Sequence, residues 1–423
     1  MRRDRRLARV REAGRADLLA TLVVGVLLGV VAGAAWGVRA ARVPGAVGPA
    51  PARPAATAQA REDAVRAGLA WLGKAQEPDG SWDLVRWNPW HGRTGLPGFS
   101  EEDHWFQPAA TGLALIAFLE ALPPAQPLDE PLRRGLDRLV AWTRADGRIG
   151  HDEAEVDAWF VQEVKVPGLE HPEGPGYKAR TLHTFNHACA LAALALAAGR
   201  PDGAAWRGPL ARSLAYTVAD EHPEYRWSTF LDPESDIGVV AYVALAARAA
   251  RDAGLVDEAR LLLEALPDFL DRVTNPATGR TAMLSDVPVC FDGDDSTAIN
   301  AYARRLAGQS SEQAPLSMAL ASLAGREPRY VPAEIPAGAG HEAFHAHLGS
   351  VVNHDAWTYG IRASAGAASA RVLSWREAVR ALLVRNQVST GPQAGSWDAL
   401  GVWDRVGGRL YATSMAVRAL AGP

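Results

Sequence analysis

The stretch CFDGDDSTAINAY places Asp292, Asp294 and Asp295 in a DxDD pattern directly ahead of a helical run. Crowded carboxylates raise one another's pKa, so one of them can keep its proton near neutral pH and act as a general acid. The same residues at a helix start also cap free amide groups and oppose the positive end of the helix dipole. Both roles stay open on sequence. A second acidic start, LDPESDIGVVAYVALAA, puts Asp236 before another apolar run, with Asp232 and Glu234 close by.

Metal chemistry is the next candidate. HEAFH sets His341 and His345 one helical turn apart with Glu342 beside the first. Two imidazoles at that spacing bind zinc and the carboxylate activates water, which makes zinc-dependent hydrolysis an alternative function. In the longer form of that motif a glycine and a third histidine follow, but Gly349 and His354 fall one and three positions late. No metal and no other cofactor is therefore expected, and His345 and His347 are expected to line a cavity. His187, alone on an apolar stretch, is read as a satisfied core residue or a further lining residue. Trp105 closes an aromatic group, Trp82 to Phe106, whose ring faces suit an apolar or cationic ligand or simply fill space between splayed helices.

Helices must position these groups. Segments near 62 to 75, 129 to 145, 205 to 219, 256 to 273, 313 to 324 and 374 to 387 carry apolar residues on one face. Each is followed by a more uniformly apolar segment, starting near Ala109, Thr184, Ile237, Thr297, Glu342 and Leu410. The joints share a weak corner motif, imperfect in each copy, of glycine, an aromatic residue or both: PDGSWD, ADGRIG, YRWSTF, ATGRTAM and AGSWD. Glycine permits positive φ where a helix stops and the chain reverses. Strand signals are scarce, and 151 to 182 reads as a long loop with WFVQEVKV as a short strand at most. Six hairpins with the greasier helix inward predict an all-α, α6/α6 toroid over 61–423. Irregular spacing argues against an open repeat array.

Ahead of that domain, residues 1–17 hold seven arginines against three acids, and Leu18 to Val38 is uncharged for 21 residues. That length spans a bilayer as a helix, and the basic flank keeps the amino end in the cytoplasm. The expectation is a single-pass membrane protein with its toroid outside the cytoplasm. The alternative is a cleaved signal peptide. Residues 39–60 are Pro- and Ala-rich and read as a tether. The net charge of -4 leaves the chain beyond the first 17 residues about eight charges negative, which excludes nucleic acid as a partner. Two cysteines, Cys189 and Cys290, are too few for a disulfide framework, and their pairing stays open.

QEPDGSW fits the QxxxGxW repeat, and together with FNHACALAALALAAGRPDGAAW and GSWDALGVWDRVGGRLYATSMAVRAL it resembles the squalene-hopene cyclase and protein prenyltransferase superfamily, in its bacterial single-ring form. The resemblance covers roughly 62 to 421. It implies an α/α toroid in which corner Gln and Trp are structural, and an isoprenoid-like or peptide ligand. For class II terpene cyclases it implies a protonated Asp that starts cyclisation, here among Asp292, Asp294, Asp295 or Asp236. For prenyltransferases it implies a zinc site of Asp, Cys and His. Cys290 with Asp286 or Asp292 and His187 supply the residue types, but not the family's local pattern. The cyclases place their cavity between two helical barrels, and this chain has length for one, so ligand binding without assured catalysis is the first expectation and proton-initiated cyclisation the alternative.

Overall fold

The computed structural model describes residues 56–88, 103–152, 176–219, 237–282, 293–331, 352–401 and 403–423. The 18–38 span lies outside them, as does WFVQEVKV; among the described residues no helix is long and apolar enough to cross a membrane. A compact unit covers Pro54–Pro423. Its first helix starts at Ala58, a few residues ahead of the expected boundary, because the Thr57 hydroxyl caps it by accepting from the Ala60 amide at 3.1 Å.

The described residues form α-helices and short 3-10 turns with no strand, only isolated bridges at three corners. In chain order the helices are α1 (Ala58–Ala75), α2 (Gln107–Ala121), α3 (Glu130–Ala141), α4 (Gly176–Ala198), α5 (Ala204–Val218) and α6 (Ile237–Asp252). They continue with α7 (Val256–Arg272), α8 (Asp294–Leu306), α9 (Leu316–Leu323), α10 (His354–Ala363), α11 (Ala370–Arg385) and α12 (Asp404–Ala421). The even-numbered helices touch in a cycle: α2 packs on α4, α4 on α6, α6 on α8, α8 on α10, α10 on α12, and α12 back on α2. The odd-numbered helices lie outside this cycle. That arrangement is consistent with an α/α toroid.

Sequence explains the two layers. α2 is buried nearly all round, from Pro108 to Ala117, whereas α3 buries only the Leu132, Gly135, Leu136 and Leu139 stripe. Small residues let inner helices approach closely: a Cβ on Gly112 of α2 would stand 2.7 Å from the Cys189 carbonyl of α4. Hydrophobic burial through these Ala-rich contacts is the main force closing the ring.

Three expectations need correction. First, α5, α7 and α9 pack chiefly against the inner helix before them in the chain, across short connections such as 198 to 204 and 252 to 256. The described corner motifs, PDGSWD, ADGRIG, ATGRTA and AGSWD, therefore sit in the long outer-to-inner connections, where the inner helices begin, while YRWSTF lies outside the described residues. Second, α4 begins at Gly176, inside the segment read as a loop, and α12 has an extra turn from Asp404 ahead of a break at Gly408, where φ is +60°, beyond which it runs on from close to the expected Leu410. Third, the inner helix that packs between α8 and α12 is α10, starting at His354 and capped by the Asn353 side chain, rather than a helix starting at Glu342. Residues 332–351, with the HEAFH stretch, lie outside the described residues.

The corners are joints between successive outer helices. The Gln76 amide donates to the carbonyls of Gly80 (2.9 Å) and of Pro131 in α3 (2.8 Å), and the Trp82 indole donates to Leu72 (2.8 Å). At the last corner Gln387 donates to Gly395 and to Ala64 of α1, both at 2.8 Å, and the Trp397 indole donates to Leu383. One hydrogen-bond scheme thus serves the first joint and the one that ties the end of the chain to its beginning. Gly395, at φ +95°, has a reason to be glycine beyond its backbone angle, since a Cβ there would meet the Ala67 carbonyl of α1 at 2.4 Å.

Candidate functional site

The corners also settle the environment of His187. Two residues past each corner glycine, a backbone amide donates into an inner helix: Trp82 to Thr111, Thr281 to Thr297 and Trp397 to Thr413, at 3.1 to 3.2 Å. At the second corner Ile149 donates instead to His187 Nδ1 at 3.0 Å, while Nε2 meets the Thr217 hydroxyl of α5 at 2.9 Å. His187 thus occupies the place of the clasp threonines and turns to the outer layer. Burial lowers its pKa to about 3, keeping the ring neutral.

The DxDD pattern divides. Asp292 and Asp236 lie outside the described residues, as do His345, His347, Asp286 and Cys290. Asp294 turns outward and pairs with Arg280 (3.0 Å) and Arg326 (3.3 Å), so it serves the helix end and the outer layer. Asp295 turns inward, is buried, and accepts from the Trp403 indole at 3.0 Å. Burial raises its pKa, only partly offset by that hydrogen bond.

Asp295 has company that sequence did not single out. Asp355, in the first turn of α10, is buried beside it, and its carboxylate accepts from the Tyr411 hydroxyl of α12. Burial is the largest cause pushing Asp355 up to about 7; Tyr411 opposes the shift, while the negative fields of Asp295 and Asp404 add to it. At neutral pH about half of it carries a proton, against roughly one in a thousand for an ordinary aspartate. Burial also holds the Tyr411 hydroxyl well above its ordinary range, so it stays a donor.

A third acid completes this rim. Asp404, in the first turn of α12, accepts from the amides of Leu400 (3.1 Å) and Gly401 (2.6 Å) and pairs with His354 Nδ1 at 2.8 Å. Three successive inner helices, α8, α10 and α12, therefore bring Asp295, Asp355 and Asp404 to one end. At Asp295 and Asp355 the helix dipole favours the charged form and desolvation opposes it. For both, desolvation wins.

Behind the acids runs a chain of aromatic contacts. Phe106 meets Phe185 (6.2 Å between ring centroids), Phe185 meets Tyr242 (5.8 Å), Tyr242 meets Tyr359 (6.1 Å) and Tyr359 meets Tyr302 (5.6 Å). Farther along the same helices, Glu120 bridges Arg418 (2.8 Å) and Arg362 (2.7 Å), and the Arg418 guanidinium stands over the Tyr359 and Tyr242 rings at 5.4 and 5.8 Å. Trp105 lies at the rim, edge-on to His151 at 5.0 Å, its carbonyl accepting from Asn186. Among the described residues no group of three or more His, Cys, Asp or Glu could hold a metal ion.

The arrangement suits a buried proton donor facing π-electron density. Asp355 was not legible because it stands alone, outside any acidic cluster; the available signal was Asn353, a helix-capping residue two positions before it.

No known protein family and no curated protein matches this chain. Among solved structures it is similar to an apo variant of the type II terpene cyclase MstE from Scytonema, at 16% identity over 86% of this chain and 97% of that one, with a TM-score of 0.46. A second variant of MstE, in complex with its substrate geranylgeranyl dihydroxybenzoate, matches at 14% identity with the same coverage and TM-score.

Proposed function

We propose that this chain is a membrane-anchored, terpenoid-cyclase-like ring of six helical hairpins in which Asp355 protonates an apolar polyene. The observation that carries the reading is the Asp355 carboxyl, buried, raised to about 7 and held by Tyr411 among inner-helix acids. The proton leaves the Asp355 oxygen and forms a C–H bond with one carbon of a double bond, whose π pair supplies the electrons. The cation left on the neighbouring carbon is met by the π-faces of the ring's aromatic residues. Tyr411, donating to Asp355, stabilises the carboxylate that appears. Asp295, which accepts from Trp403, is its neighbour in the acid cluster and adds to the negative field that raises Asp355. Residues 18–38 are proposed as the anchor, with the ring outside the cytoplasm.

The test is incubation of full-length protein with C15, C20 and C30 polyenes and mass-spectrometric analysis of products. Cyclised product from wild type, lost by at least a hundredfold in Asp355→Asn and reduced in Tyr411→Phe, supports the reading. If wild type yields no product from any of them, or Asp355→Asn retains full turnover, acid catalysis at Asp355 is refuted and a ring that only binds its ligand remains.

A further inference from the structure

We propose that the cluster centred on Arg418 is a head-group site that takes one anionic group, a carboxylate or a phosphate monoester, at the end of the ring's apolar ligand. This rests on the isoprenoid reading above and names the kind of isoprenoid.

Every inner helix contributes to this point. Arg418 of α12 is fully buried and is bridged by Glu120 of α2 to Arg362 of α10. Tyr242 of α6 and Tyr359 of α10 stand against its guanidinium, and Cys189 of α4 and Tyr302 of α8 lie within its field. Convergence from α2, α4, α6, α8, α10 and α12 places the guanidinium where all six helices face one another.

Among the described residues the charges there do not balance. Two guanidiniums meet one carboxylate, and burial keeps the Tyr242, Tyr302 and Tyr359 hydroxyls and the Cys189 thiol neutral. An uncompensated buried cation is costly unless an anion joins it. Hydrogen bonding is incomplete as well: Arg418 Nη2 and Arg362 Nε are buried without a hydrogen-bond partner, and so is Glu120 Oε1. Buried polar atoms in that state call for a missing partner. Two open donors on guanidiniums suit an anionic oxygen, and Glu120 Oε1 is open to a hydroxyl or water beside it.

Spacing then orients the ligand. Asp355 and Arg362 are seven residues apart on α10, and so are Tyr411 and Arg418 on α12 and Asp295 and Tyr302 on α8. Seven helical residues are two turns on one face, about 10 Å. The proton donor and the cationic cluster are thus two levels of one interior, and the double bond that is protonated lies about 10 Å from the ligand's charged end. An uncharged hydrocarbon would leave the lower level unpaired.

The experiment measures binding, so its outcome does not depend on turnover. Full-length protein is titrated, by intrinsic tryptophan fluorescence or calorimetry, with a C15 isoprenoid acid, its methyl ester and the corresponding monophosphate. Wild type should bind the acid or the monophosphate at least tenfold more tightly than the ester, and the tighter of the two identifies the head group. Arg362→Gln and Arg418→Met should each remove that preference while leaving ester affinity within a few fold; Arg362→Gln alone decides the matter if Arg418→Met does not fold. Equal affinity for acid, monophosphate and ester overturns the proposal, and so does a preference that survives these substitutions. Loss of turnover in Asp355→Asn tests the acid separately, so either idea can fail without the other.

Discussion

Asp355→Asn should change how stability depends on pH in a way that reports the buried proton. The Asp355 pKa rises from 3.8 to about 7 on folding. The native state therefore binds this proton more tightly than the unfolded chain. Its stabilising effect is complete below pH 3.8, declines as pH rises through the window, and is lost above about 7. At 1.36 kcal/mol per pKa unit this amounts to about 4 kcal/mol. His187 works in the opposite sense, because its folded value of about 3 lies below the ordinary 6.5: its contribution is present above pH 6.5 and lost as pH falls towards 3. The two contributions oppose each other from pH 4 to 6.5, so only the comparison with the variant isolates Asp355. Asparagine keeps an acceptor for Tyr411 and cannot ionise. For a unit of about 370 residues, Pro54–Pro423, unfolding entropy near 2.1 cal/mol/K per residue converts about 4 kcal/mol into about 5 °C. Thermal unfolding followed by circular dichroism should show the Tm of Asp355→Asn gaining about 5 °C on wild type between pH 4 and pH 7.5. A difference between the two proteins that stays constant with pH would refute the buried-acid assignment.

Other substitutions test the frame around the site. Gln387→Ala removes two hydrogen bonds that tie the last corner to α1, and should cost about 1 to 3 kcal/mol with faster amide exchange in α1, read by mass spectrometry. Gly395→Ala should destabilise more than Gly391→Ala: both have positive φ, costing about 1 to 2 kcal/mol for alanine, but only at Gly395 would the new Cβ meet backbone, the Ala67 carbonyl at 2.4 Å. Chemical denaturation of the pair measures that difference. His187→Gln should leave turnover unchanged while removing the loss of stability below pH 6.5, because His187 clasps a corner and faces the outer layer.

The layered all-helical plan was legible because it depends on periodicity. One-sided apolar stripes in α3 and α7 and nearly uniform burial in α2 and α6 follow directly from residue order. Corner glycines were legible for a similar reason, since positive φ is a local requirement. The direction in which neighbouring side chains point was not legible. Asp294 and Asp295 are adjacent in sequence, yet helical geometry sends one to Arg280 and Arg326 outside and the other to Trp403 inside. His187 looked like a lone imidazole on an apolar run until the corner amide of Ile149 arrived beside it. Asp355, Tyr411 and Asp295 come from three helices, and a buried acid's proton affinity depends on what surrounds it in space. Composition and spacing therefore determined the layers and corners of this chain, while only tertiary packing decided which carboxyl keeps its proton, because desolvation is a property of neighbours that the sequence separates by dozens of residues.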